Sequence, residues 1–404
     1  MPKKYICTER AHYMCPNMHF AIAIKVDSVL DKNKLTQSVE MLRKAHPLLS
    51  SVISEDEDGR AFYEYKADTE VPIIYKEIKA DWLSDYKEVT GCGWNLRRDC
   101  MLKVIAYEDD GHTFLVLAAH HLLCDGIALL QFAEELAKVY SDTTASPVIP
   151  TYEDRIIESP NDFNGRMKTP FMIKCIASSA NKKWRAERRK LTYDYYREYE
   201  LKADIGGKYS VLTNTVENDE LSEIIRCCKE AGVTVNDYLL AKMMEEEKTC
   251  TVLAGANIRK YYGNYEPGSL GNYSSAYSVK AKPTGDVYST AKNVSKAMGK
   301  IKDNPHHELL TLALYNELDS NLLDAAAITA LGGYESQAAL FVGDRLLGFK
   351  SPKNCTITNL GRVESDIIKE MFFVPPFSPS VRVITGVVTL GGVMNTITIR
   401  RRDL

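Results

Sequence analysis

The sequence predicts an α/β protein of the α+β kind, built as two subdomains, and three observations predict it. The chain has 404 residues, more than one ordinary core serves, so two domains are expected. Residues 1–140 mix strand-like and helix-like apolar patterns without the regular strand–helix repeat of a Rossmann domain. A polar, basic stretch then precedes a second run of strands and helices that begins near Tyr209. The expected layout is an N-terminal subdomain over 1–150, a linker and crossover over 151–205, and a C-terminal subdomain over 206–404.

In the first part, residues 19–26 read as a strand, with Phe20, Ile22 and Ile24 on one side and Ala21, Ala23 and Lys25 on the other. Asp31 is placed to cap a helix whose apolar stripe is Leu35, Val39 and Leu42, and Pro47 stops it. Strands follow at 48–53, 61–65, 71–75 and 101–107, with turns at 55–59, 91–99 and 108–111, in a mostly antiparallel or mixed sheet. Residues 141–150 are polar and proline-bearing. Residues 182–190, KKWRAERRK, hold six basic residues and one acidic one. They read as a solvated linker or exposed helix, with docking of an acidic partner as the functional alternative. In the second part, Leu221, Ile224, Ile225 and Cys228 form one helical face, and Gly232 suits a left-handed helix end. A second helix is expected at 235–244, strands at 251–258 and 273–279, and helices over 286–301 and 307–330. Late strands fall at 354–360, 371–374, 381–389 and 394–399, with Val and Ile suited to a sheet.

Composition narrows the function. Apolar residues are 45%, charged residues 26% and the formal net charge is -3, a folded chain without a global pull toward nucleic acid or anionic membrane. No apolar run reaches the roughly 18 residues of a spanning helix, so no membrane span is expected. Ten cysteines lie without close CxxC pairs, and the eight histidines are not arranged with them at ligand spacing. A cytoplasmic setting and no metal are the expectations.

The stretch 114–132, FLVLAAHHLLCDGIALLQF, carries the chemistry. Phe114 to Ala119 form an apolar strand, and an amphipathic helix starts near Ile127. Between them stand His120, His121, Asp125 and Gly126. Imidazoles at the end of a core strand need partners for both ring nitrogens. His121 suits a general base, because neutral imidazole titrates near operating pH. Asp125, four residues on, could face His121, enter a structural ion pair, or serve the N-terminus of the next helix. Gly126 permits a tight turn or a close backbone approach. Both histidines could instead be packed core residues, but the grouping at a strand end favours the functional reading.

HHLLCDG, residues 120–126, resembles the HHxxxDG signature of the chloramphenicol-acetyltransferase-like superfamily, which includes condensation domains and alcohol acyltransferases. Further landmarks follow in family order: residues 42–49 (LRKAHPLL), 231–237 (AGVTVND), Asn257-Ile258-Arg259, Gly271-Asn272-Tyr273 and Thr358-Asn359-Leu360-Gly361. The resemblance implies two similar subdomains in a V with an active-site tunnel between them. It implies His121 as the base, His120 as structural, Gly126 as the turn residue, and Asp125 in an ion pair with Arg259 as its candidate partner. Ser274, Ser275, Thr358 and Asn359 are candidates for oxyanion or substrate contacts. Cys124, at a variable position of the signature, is a minor candidate nucleophile. Leu323, Ile328 and Leu331 could line an acceptor channel, although core packing is the readier role for each.

The implied activity is acyl transfer from a thioester to a small-molecule alcohol or amine. Acyl-CoA is the expected cosubstrate, with no permanently bound cofactor. The alternatives are a condensation or release enzyme using a separate carrier protein, and a non-catalytic member of the fold. Residues 182–190 could dock an acidic carrier, and Lys350 and Lys353 could meet CoA phosphates.

Overall fold

The structure, a computed structural model, describes residues 3–91, 93–142, 149–202 and 209–402. Most of the polar stretch expected at 141–150, and the boundary expected at 205/206, lie outside the described residues. Two principal sheets organise the chain. The first has five strands in the order Ile368–Val374, His19–Val26, His112–His120, Leu102–Asp109 and Ile73–Tyr75. All neighbours are antiparallel except the last pair, so the sheet is mixed. Two of its three inner strands, His19–Val26 and His112–His120, are apolar on both sides, and Phe20 to Ile24 and Phe114 to Ala119 are wholly buried. Helices Gly126–Ser141 and Trp82–Gly91 pack against this sheet.

The second sheet has six strands in the order Ser274–Lys280, Thr251–Asn257, Asn354–Val363, Val381–Leu390, Val393–Arg401 and Tyr209–Val216. Asn354–Val363 runs parallel to both its neighbours and the rest are antiparallel. A small sheet of Lys4–Tyr5, Ala61–Tyr65 and Ser51–Glu55 lies apart. The architecture is thus α+β with two major sheets. The C-terminal part of the chain completes the first sheet, because Ile368–Val374 pairs with His19–Val26 through Phe372↔Ala23 and its neighbours.

Local chemistry explains where elements begin and end. Asp31 accepts the Lys34 N–H and starts the helix Lys32–Ala45. Gly232 ends Asn218–Ala231 at φ 71°. The strand expected at 48–53 begins later. Pro47 opens a 3-10 turn, Pro47–Ser50, and the strand is Ser51–Glu55. The helical region 307–330 is broken, because Asp319 accepts the Asn321 and Leu322 N–H groups and starts Ser320–Ala330 afresh. Leu323 and Ile328 lie buried on that helix, as core rather than lining, and Leu331 is half-buried just after it. The basic stretch 182–190 ends a helix, Phe171–Glu187, which buries Ala177, Ala180 and Trp184 and leaves all six cations exposed.

Among the described residues, no helix is long and apolar enough to cross a membrane. Nor does any group of three or more His, Cys, Asp or Glu side chains among them fit a metal ion.

Candidate active site

The strand His112–His120 stops where its neighbours stop. The His120 N–H donates to the Met101 carbonyl at 2.9 Å and the His121 N–H to the Met18 carbonyl at 2.8 Å. The chain then turns through Leu122, whose carbonyl accepts the Tyr63 hydroxyl at 2.6 Å. Asp125 closes the turn as the N-cap of Gly126–Ser141, its Oδ1 accepting the N–H groups of Ile127 and Ala128 at 2.9 and 3.0 Å. A carboxylate at a helix N-terminus is favoured by both the unpaired N–H groups and the helix dipole.

Asp125 also joins distant parts of the chain. Its Oδ1 accepts from Nη2 of Arg259 at 2.9 Å, across 134 residues, and its Oδ2 accepts the Tyr273 N–H at 2.8 Å. The Asp125 N–H donates to the Gly271 carbonyl at 3.2 Å. Both charged side chains are nearly enclosed, at 3% and 8% exposure, so the pair is a buried one. Burial opposes the charge of Arg259, but Asp125 more than offsets this and raises its proton affinity. The guanidinium also lies over the rings of Tyr273 and Tyr265, at 4.8 and 5.2 Å. All four bonds that the carboxylate accepts go to backbone N–H groups and Arg259, which is the arrangement of a structural anchor.

The His121 ring is set between three elements. The Phe20 ring lies 5.0 Å from it, from the adjacent strand. The His12 ring lies 4.7 Å away, from the single helical turn Arg10–Tyr13. Asn272 brings its Nδ2 to 3.1 Å from the His121 Nδ1, 3.3 Å from the His121 carbonyl and 3.4 Å from the His12 Nδ1. Burial lowers the proton affinity of His121, while the charge of Asp125 and the carbonyls of His121 and Cys124 oppose that shift. The resulting ring is neutral near pH 7 and able to accept a proton.

His120 is packed inside. Its Nδ1 accepts the Leu122 N–H at 3.2 Å, its ring meets Trp94 edge-on, and burial holds its proton affinity well below the usual range. Cys124 is wholly buried and burial raises its thiol well above the usual range, so a thiolate nucleophile is disfavoured there. At Gly126, which begins the helix, a Cβ would stand 2.8 Å from a Leu360 methyl and 3.4 Å from Phe373. Close approach, rather than a left-handed turn, explains that glycine.

Ser274 donates its hydroxyl to the Asn272 Oδ1 at 2.7 Å, one residue removed from His121. The Ser275 hydroxyl is buried without a hydrogen-bond partner on the same strand. Asn359 accepts the Gly361 N–H at 2.9 Å in a local turn, and Thr358 lies beside Gly255. Lys350 and Lys353 are exposed on the segment before Asn354–Val363.

Sequence reasoning names Asn272 only as part of a landmark and gives His12 and Glu9 no part in the chemistry. Glu9 is 1% exposed and accepts the Thr8 hydroxyl, and burial raises its carboxyl to about 8. The available signal was polarity out of place: charged Glu9 and Arg10, and imidazole at 12, beside a buried Tyr13-Met14-Cys15 run.

Residues 11–160 match the family model of the Condensation domain. A segment of 146 residues is 26% identical to the hybrid PKS-NRPS synthetase thnA of Trichoderma harzianum; it covers 34% of this chain and 4% of that protein. The TRI3 trichothecene 15-O-acetyltransferase of Fusarium sporotrichioides superposes with a TM-score of 0.65 at 11% identity, over 99% of this chain and 90% of that one. The first condensation domain of the calcium-dependent antibiotic synthetase, in complex with a substrate analogue, superposes with a TM-score of 0.62 at 13% identity, over 99% and 90%. The chain therefore has the fold of the condensation-domain and chloramphenicol-acetyltransferase-like superfamily.

Proposed function

We propose that the chain transfers an acyl group from a thioester, borne by a separate carrier protein, to an alcohol or amine, with His121 as the base. The observation that carries this reading is a neutral imidazole at a strand end whose neighbouring carboxylate is fully engaged by backbone N–H groups and Arg259. His121 would take the proton of the acceptor O–H or N–H as that atom attacks the thioester carbonyl. The tetrahedral oxyanion then collapses, the C–S bond breaks, and the leaving thiolate takes the proton from His121. A thioester is already activated, so orientation, proton removal and oxyanion stabilisation are what the protein must supply. Ser274 is our candidate oxyanion donor, because of the four candidates it is the one that hydrogen-bonds Asn272, the residue against the imidazole.

The condensation-domain match over residues 11–160, which includes His121 and Asp125, supports a carrier-borne donor. The likeness to an O-acetyltransferase supports a second reading, with free acyl-CoA as donor. Both readings are tested by supplying matched acyl groups on a carrier protein and on CoA, with mixed alcohol and amine acceptors, and following product by mass. Carrier-dependent transfer that falls by about 100-fold or more in a folded His121→Ala variant is expected. Transfer from CoA alone would select the second reading. An undiminished rate in the variant would remove His121 as the base, and no transfer from either donor would favour a non-catalytic role.

A further inference from the structure

The helical turn Arg10–Tyr13 is fastened at both of its ends. Arg10 grips Asp324 through Nε at 2.8 Å and Nη2 at 2.5 Å, 314 residues away, and both side chains are buried. Tyr13 stacks on Tyr193 with centroids 5.4 Å apart and planes within 10°. Between these two anchors the turn presents His12, whose ring is 4.7 Å from that of His121 at a tilt of 34°. The orientation of the Asn272 amide is set by Ser274, whose N–H donates to Oδ1 at 3.1 Å. Its two Nδ2 hydrogens serve the His121 carbonyl at 3.3 Å and the His12 Nδ1 at 3.4 Å, while the His121 Nδ1, 3.1 Å away, keeps its own hydrogen for the backbone carbonyls, so that the lone pair of the neutral ring is on Nε2.

We propose that His12 is the second imidazole of this site, a positioning residue that, with Asn272, sets the His121 ring, and that the two rings accept one proton between them. Two imidazolium ions on half-buried rings at this spacing repel. The groups facing His121 are few: His12 from the helical turn, His120 beside it, and Asp125 across its turn, with the charge of Asp125 engaged by Arg259. Burial lowers the proton affinity of His12 well below the ordinary range, and a charge on His121 or His120 lowers it further, so His121 takes the first proton. Sites coupled this closely titrate as a pair.

The proposal deepens the assignment of His121 as base, and its first test does not depend on that assignment. In protein carrying 15N-labelled histidine, the His12 signal is followed against pH in the wild type and in His121→Phe. The His12 midpoint is expected to rise by about one pH unit or more in the variant. An unchanged midpoint overturns the coupling. For positioning, His12→Ala and the ring-retaining His12→Phe are assayed on whichever thioester the wild type turns over. Loss of the ring is expected to lower kcat by about 10- to 100-fold with KM little changed, and His12→Phe to recover part of it. A rate unchanged in both folded variants overturns the positioning role. Should no thioester be turned over, the titration still decides the coupling, so failure of the acyl-transfer reading is distinguishable from failure of this one.

Discussion

Removing the Asp125 carboxylate should damage the fold far more than removing its ionic partner. In Asp125→Ala, the buried Arg259 guanidinium loses its counter-charge, which in comparable buried pairs costs about 3–5 kcal/mol. The helix Gly126–Ser141 loses its N-cap, at about 1 kcal/mol. The Tyr273 N–H loses its acceptor, at about 1–3 kcal/mol. These terms share one site and do not add fully; a net loss of about 5 kcal/mol is the working value, comparable with the whole stability of many domains. In Arg259→Met, by contrast, the carboxylate keeps three backbone donors, from Ile127, Ala128 and Tyr273, and stays satisfied. The loss there should be about 2 kcal/mol, on the scale of one charge-assisted hydrogen bond. Urea unfolding followed by circular dichroism at pH 7 measures both. If Arg259→Met proved as costly as Asp125→Ala, the backbone bonds of Asp125 would not be what anchors the turn, and the reasoning above would fail.

Two buried groups make stability fall as pH rises, in different windows. His46 lies against Asp154 at 2.9 Å and Glu135 at 3.5 Å; burial opposes its charge, but the two carboxylates outweigh it and raise the imidazole to about 9. Its folded-state affinity exceeds the usual 6.5, so its contribution, about 3 kcal/mol, is complete below pH 6.5 and lost as pH approaches 9. His46→Gln should flatten that part of the stability profile, and an unchanged slope between pH 6.5 and 9 would refute the charged state. Glu9 works through its acid form. Its carboxyl, raised to about 8 by burial, holds a proton in the folded state that the unfolded chain releases above about 4.5, so folding weakens steadily between those values. Glu9→Gln should raise the thermal midpoint at pH 8 while leaving it near the wild-type value at pH 4.5. Equal midpoints for variant and wild type at pH 8 would show that Glu9 ionises without cost.

What was legible in the sequence and what was not differ in physical kind. Phe114 to Ala119 could be read as a buried strand because every residue agrees with its neighbours, and no tertiary contact has to be known. Asp31 and Gly232 were readable for the same reason, since a cap acts within four residues. The edge strand Ile368–Val374 was readable as a strand but not as a member of the first sheet, because nothing in its side chains encodes His19–Val26 as its neighbour. The surroundings of His121 are a stronger case. Phe20, His12 and Asn272 meet it from positions up to 151 residues away, and nothing in their own segments encodes that meeting. His12 differs from an ordinary packing residue only because Arg10 is held by Asp324 on Ser320–Ala330, which brings the turn down onto the imidazole. The reading of His12 therefore depends on residue 324, so Asp324→Asn, distant from the imidazoles in sequence, should loosen the His12–His121 contact and the pairing of their protons together.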